Sequence, residues 1–75
     1  MIITEGDIIP GYFETSREPS RRAYIIKYTG RSKYGKDGIV SHQLRFLPEE
    51  YRTLGRDQAR EAVIDSLLVK LNKEN

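Results

Sequence analysis

The chain has 75 residues, a formal net charge of +2 and no cysteine. This length predicts one domain with a small core. The lack of cysteine excludes disulfide bonds and thiolate metal sites, and a single histidine cannot form a zinc site alone, so we expect neither a metal nor a cofactor. No apolar run approaches the ~18 residues that span a bilayer, and the first residues do not resemble a signal peptide, so we expect a cytoplasmic protein without membrane contact.

Residues 1–20 predict a strand and a turn. The candidate strand, residues 11–15, is rich in aromatic and β-branched side chains. Pro10 and Pro19 bracket it, which favours a short strand or one at the edge of a sheet. The isoleucines that precede it have to pack against the rest of the domain.

Residues 21–47 predict a basic β-hairpin. Two runs rich in β-branched and aromatic residues, 23–29 and 39–47, flank a segment with three glycines, which is typical of a turn. In the second run Val40, Leu44 and Phe46 alternate with Ser41, Gln43 and Arg45. The apolar set is expected to face a helix, and the polar set to face away from it. The alternation in the first run leaves open which of its side chains share that outer face.

Residues 56–73 predict a helix, preceded by a connector at 49–54. From Asp57 onward the chain has neither glycine nor proline, and an apolar stripe runs through Ala59, Val63, Leu67 and Leu71. Asp57 is a candidate N-cap. The elements together predict an α+β fold, a three-stranded antiparallel β-meander with the C-terminal α-helix packed on one face.

The basic residues are concentrated in one part of the chain. Between Arg17 and Lys36 seven basic residues stand against one acidic residue, which gives +6 in a chain whose total is +2. Such a cluster is expected on a surface that contacts a polyanion. The candidate nucleic-acid-binding residues are Arg21, Arg22, Lys27, Arg31, Lys33, Lys36, Gln43 and Arg45. The lysines and arginines would neutralise phosphates, while Gln43 and Arg45 would meet base edges.

Two other patterns are weak indications of catalysis. Gly30, Gly35 and Lys36 match the spacing of a phosphate-binding loop, but Asp37 occupies the position of the magnesium-binding Ser or Thr, and a strand follows where a helix is needed. His42 shares a strand face with apolar residues, which favours a packed or hydrogen-bonded structural role. We therefore predict no catalytic residues and no enzymatic activity.

The turn Leu54-Gly55-Arg56-Asp57 ahead of the helix, together with the predicted topology, resembles the small arm-site DNA-binding domains at the N-terminus of tyrosine recombinases. This resemblance implies DNA binding without recombinase activity, because the catalytic domain of that family is absent from these residues. The layout is also similar to that of double-stranded-RNA-binding domains. Their basic helix start, however, is replaced here by Asp57, Gln58 and Glu61.

The sequence leaves two functions open. The first is a non-enzymatic nucleic-acid-binding module, for DNA rather than RNA, that contacts the phosphate backbone with its basic hairpin. The second is a small protein-binding adaptor or inhibitor, of the kind encoded by phages and other mobile elements, that docks on a larger nucleic-acid enzyme. A homodimer is a further possibility, since an exposed edge strand can pair with its symmetry mate.

Overall fold

The computed structural model describes residues 1–20 and 22–74, and it confirms the α+β fold. One antiparallel sheet has the strand order β1-β2-β3, and a C-terminal helix packs on it. The elements are β1 Gly11–Glu18, β2 Ala23–Arg31, β3 Ile39–Phe46 and α1 Pro48–Glu74, with short 3₁₀ turns at Glu5–Asp7 and Lys36–Gly38. The first strand is longer than expected, because it continues through Ser16 and Arg17 to Glu18.

The pairing register decides which side of β2 faces the helix. Tyr24, Ile26 and Tyr28 lie opposite Phe46, Leu44 and His42 of β3, respectively. Opposite residues in antiparallel strands project to the same face, so these side chains share the side on which α1 packs. The alternative set of β2, which includes Lys27, is therefore on the other side of the sheet.

The hydrophobic core lies between the sheet and α1. Ile26 of β2 and Val63 of α1 are fully buried, and the stripe predicted for the helix supplies much of the rest. The buried cluster comprises Ile3, Ile8, Ile26, Tyr28, Val40, Phe46, Ala59, Val63, Ile64, Leu67 and Leu71. Burial of each large apolar side chain contributes about 1.5–3 kcal/mol, so this one-sided cluster is what fixes the helix to the sheet.

The helical region begins earlier than the sequence predicted. Residues 49–54, expected to be a connector, belong to α1, which starts at Pro48 and is interrupted at Gly55 with φ 82° and ψ 163°. Proline suits the first position of a helix, and the Glu50 carboxylate accepts a hydrogen bond of 2.8 Å from the backbone N–H of Leu47. In this early part of α1, Tyr51 stacks on Tyr24 with ring centroids 4.7 Å apart. The segment thereby closes one end of the core.

The N-terminal segment covers the opposite end of the core. Ile3 and Ile8 are buried there. The Asn72 side chain of α1 accepts a hydrogen bond from the N–H of Ile3 at 2.8 Å and donates one to its carbonyl at 3.0 Å. The Tyr28 hydroxyl donates to the Ile8 carbonyl at 2.7 Å. These bonds attach the segment to both layers of the fold.

Candidate functional site

The face of the sheet opposite α1 is the surface on which the predicted binding residues can meet. We call it the outer face. Its side chains belong to Tyr12, Glu14, Ser16, Glu18, Ile25, Lys27, Thr29, Arg31, Ile39, Ser41, Gln43 and Arg45. Ser41, Gln43 and Arg45 of β3 are exposed, as the alternation in that strand predicted. The two-residue repeat of each strand holds these groups at fixed spacings of about 6.6 Å along the strand and about 4.8 Å across it.

Four of the eight predicted residues lie on this outer face. Lys27 stands at its centre, directly between Glu14 of β1 and Gln43 of β3. Arg31 is exposed at the end of β2, and Arg45 lies opposite Ile25. The sheet thus brings together three cations and one amide from two different strands.

Carboxylates share this face and reduce its positive charge. The Nε atom of Arg45 lies 3.4 Å from Oε2 of Glu18, with both side chains partly exposed. Glu14 is the register partner of Lys27. Three basic and two acidic side chains leave the outer face with a formal charge of +1. The +6 of the sequence segment is therefore not concentrated here.

The other predicted cations lie at the two ends of the sheet. Arg22 is in the turn between β1 and β2, with a positive φ of 53°. Lys33 and Lys36 belong to the connection between β2 and β3, at the opposite end of the nine-residue strand β2. A strand of this length spans about 26 Å. The structure therefore does not bring these cations together, and Arg21 lies outside the described residues.

The connection between β2 and β3 is compact. The backbone N–H of Ser32 donates to the Gly38 carbonyl at 3.0 Å, and the hydroxyl of Ser32 accepts a hydrogen bond from the N–H of Tyr34 at 3.1 Å. The ammonium group of Lys33 lies 5.3 Å from the centre of the Tyr34 ring. A 3₁₀ turn and then β3 follow Lys36, so the helix that a phosphate-binding loop requires is not at this position.

The fold also places groups at this end that the sequence did not indicate. Lys36 of the loop and Lys70 of α1 line one concavity of about 230 Å³, together with Glu74. Because these residues are far apart in sequence, no local pattern could have joined them. Tyr12 was likewise not among the predicted residues, although its side chain is 57% exposed on the outer face. Tyr12 is far from Arg31 in the sequence, and only the pairing of β1 with β2 brings the two residues to the same groove.

His42 has the hydrogen-bonded environment that its position predicted. Its Nε2 atom lies 2.7 Å from the hydroxyl oxygen of Ser66 on α1. Burial lowers the pKa of the imidazole, and the nearby charge of Lys70 lowers it further. The neutral form is thus favoured between the sheet and the helix. Within residues 1–20 and 22–74, no group of three or more histidine and acidic side chains could hold a metal ion.

The comparisons with known proteins give no relative. No family model matches the chain, and neither a curated protein nor a solved structure matches it significantly. The resemblance to the recombinase arm-site domains therefore rests on the topology and on the four-residue turn around Gly55. In the part of the chain that the structure describes, no helix has the length and apolar character needed to cross a membrane.

Proposed function

We propose that this protein is a non-enzymatic nucleic-acid-binding module that uses the outer face of its sheet. The observation that carries the proposal is the placement of Lys27, Arg31 and Gln43 on one sheet face that the helix leaves uncovered. Lysine and arginine release counterions when they neutralise phosphates, and a side-chain amide can pair with a base edge. The sheet supports these groups rigidly because α1 packs on its other side.

The modest charge of the outer face sets the expected strength of binding. Three or four phosphate contacts give a slope of about −2 to −4 in a plot of log K against log salt concentration. Arg45 also has to exchange Glu18 for a phosphate, which reduces its net contribution. We therefore expect dissociation constants on the order of 1–100 μM at physiological salt, the range of non-specific binders.

The test is fluorescence anisotropy with labelled DNA and RNA oligonucleotides at several salt concentrations. Reversing two charges of the outer face, with Lys27→Glu and Arg31→Glu, is expected to weaken binding by about tenfold or more and to flatten the salt slope. The matched control carries Arg52→Glu and Arg56→Glu, which make the same change of charge on the exposed surface of α1. Equal losses in both double variants, or no binding to any oligonucleotide, would overturn the proposal.

A protein-binding adaptor or inhibitor is the second candidate. It is favoured by the exposed apolar side chains of Tyr12 and Ile39, which are 57% and 53% exposed near one end of the outer face. Exposed apolar and aromatic groups with a polar surround are typical of protein interfaces. Affinity capture from the native host, with and without nuclease, separates the two functions. A protein partner that survives nuclease and is lost with Ile39→Asp supports the adaptor.

A further inference from the structure

We infer that the groove between Tyr12 and Ile39 on the outer face binds one unpaired base, so that the ligand of this surface is a single-stranded nucleic acid. This inference rests on the proposed function and specifies its substrate class. The groove has a volume of about 450 Å³. It is lined by Pro10, Gly11, Tyr12, Thr29, Gly30, Arg31 and Ile39.

The register of the sheet sets the width of this groove. Tyr12 of β1 lies opposite Thr29, and Ile39 of β3 lies opposite Arg31, so the two walls stand on the strands that flank β2. Two strand spacings, about 9.6 Å, and an offset of two residues along β2, about 6.6 Å, separate them diagonally by about 12 Å at the backbone. A planar ring held between two side chains needs about 7 Å, which is twice the van der Waals contact distance. One base therefore fits between the tyrosine ring and the isoleucine.

The Tyr12 ring differs from the aromatic rings on the helix side of the sheet. On that side Tyr24 stacks on Tyr51, and Phe13 packs at 4.9 Å from Tyr28. Tyr12, in contrast, is 57% exposed. An exposed aromatic ring on a rigid sheet is the platform on which unpaired bases stack. In a duplex the flat faces of the bases are already covered by their neighbours, so this ring would gain no stacking partner there.

Of the two cations of β2 on the outer face, Arg31 lines the groove and Lys27 lies just outside it. Lys27 is two residues before Thr29 and Arg31 is two residues after it, all three on the outer face. This arrangement suits a nucleotide chain, whose base enters the groove while the phosphates on either side meet Lys27 and Arg31. The threonine hydroxyl lies between them as a hydrogen-bond partner for a base edge. The two charges favour a nucleotide over the apolar side chain of a protein partner.

The experiment compares labelled single strands of DNA and RNA with the duplex of the same sequence, using wild type, Tyr12→Ala and Tyr12→Phe. The single strands should bind about tenfold tighter than the duplex. Loss of the ring in Tyr12→Ala should weaken single-strand binding about five- to a hundredfold, whereas Tyr12→Phe, which keeps the ring, should stay within about twofold. The salt slope of Tyr12→Ala should equal that of wild type, because no phosphate contact is removed. Urea unfolding of each variant checks that the fold is intact.

The outcomes separate this inference from the proposed function. Duplex and single strand binding equally, or Tyr12→Ala binding as wild type does, would overturn the stacking groove, while loss of binding in the Lys27→Glu and Arg31→Glu variant would still support the proposed function. Failure of wild type to bind any of these oligonucleotides would overturn both. A single strand that contains 2-aminopurine adds a direct readout, since stacking on Tyr12 should quench its fluorescence in wild type and not in Tyr12→Ala.

Discussion

His42 links the stability of the protein to pH. Its imidazole lies between the sheet and α1, hydrogen-bonded to Ser66, and burial together with Lys70 lowers its pKa from 6.5. The folded protein therefore binds this proton less readily than the unfolded chain does. Lys73 and Glu74 line the same concavity as His42, Ser66 and Lys70, and they are the other charged groups of α1 near the ring.

The expected result is a loss of stability as the pH falls below about 6.5, which continues down to the lowered pKa of the folded state and then levels off. His42→Gln removes the titrating group, so its stability should vary less over this window. Urea unfolding of both proteins at several pH values between 7.5 and 4.5 measures the difference. Because the carboxylates are common to both proteins, their titration cancels, and identical pH profiles would contradict the prediction.

Tyr28 connects the sheet to the N-terminal segment through one buried hydrogen bond. Its ring is 3% exposed, and its hydroxyl donates to the Ile8 carbonyl. Tyr28→Phe keeps the ring but leaves that buried carbonyl without this donor, so we expect a loss of about 1–3 kcal/mol in the free energy of unfolding. Chemical denaturation measures it. Tyr12→Phe removes a hydroxyl from an exposed ring and should change the stability by about 0.5 kcal/mol or less.

The apolar stripe of α1 was predictable from the sequence, whereas the start of the helix and its interruption were not. The stripe from Ala59 to Leu71 predicted the buried side of α1, because a spacing of three or four residues has one physical interpretation in a helix. Pro48 directly follows the second strand of the predicted hairpin, and it also starts the helix with Glu50 at the third position. The sequence predicts Gly55 in the turn ahead of a helix that covers residues 56–73. Gly55 is an interruption, because its backbone has to leave the helical conformation there.

Gly55 is expected to tolerate no side chain, for conformational rather than steric reasons. Its φ of 82° and ψ of 163° lie in a region that is almost restricted to glycine, although an added Cβ would meet open space. Gly55→Ala should therefore lower the free energy of unfolding by about 1–3 kcal/mol, or straighten α1 and displace Tyr51 from Tyr24. Denaturation and the near-ultraviolet circular dichroism of the tyrosines report these two results. Gly6→Ala is the control, since a Cβ there would meet only ordinary contacts.

The faces of the sheet were only partly predictable. In β3 the apolar and polar residues alternate, so the exposed set with Gln43 and Arg45 followed from the sequence. In β2, Ile25 and Ile26 are neighbours with opposite orientations, and both alternating sets contain apolar residues. Periodicity cannot choose between them, and the choice depends on pairing with Phe46 and its neighbours across the sheet. The central position of Lys27 on the outer face therefore required the structure.

At the scale of the whole molecule, the position of a charge in the sequence was a poor guide to its position in space. In a strand the distance between two residues grows by about 3.3 Å for each position in the sequence. Arg22 and Lys33 are therefore separated by the length of β2. The chain reversals bring Glu14 and Glu18 of β1 onto the same face as Lys27 and Arg45. The composition of a segment gives its net charge, but it does not show where these chain reversals place each charge in the fold.

Asn72 holds the N-terminal segment on the helix. Its side chain forms two hydrogen bonds with the backbone of Ile3 and donates a third to the Leu68 carbonyl at 2.9 Å. Asn72→Ala should release the segment and lower the free energy of unfolding by about 1–3 kcal/mol. Hydrogen exchange measured by mass spectrometry should show faster exchange in residues 2–8. The exposed neighbour Lys73→Ala is the control, and equal exchange in both variants would contradict this role.

The contact between Ile3 and Asn72 brings the first and last parts of the chain side by side. A circular permutant can therefore be designed. A short linker would join these two parts, and the new termini would be placed at the exposed Gly38. Such a chain would enter the fold with β3 and α1 and finish with β2. If it acquires the same sheet, the architecture is encoded by its side-chain packing and does not depend on the order in which its strands are synthesised.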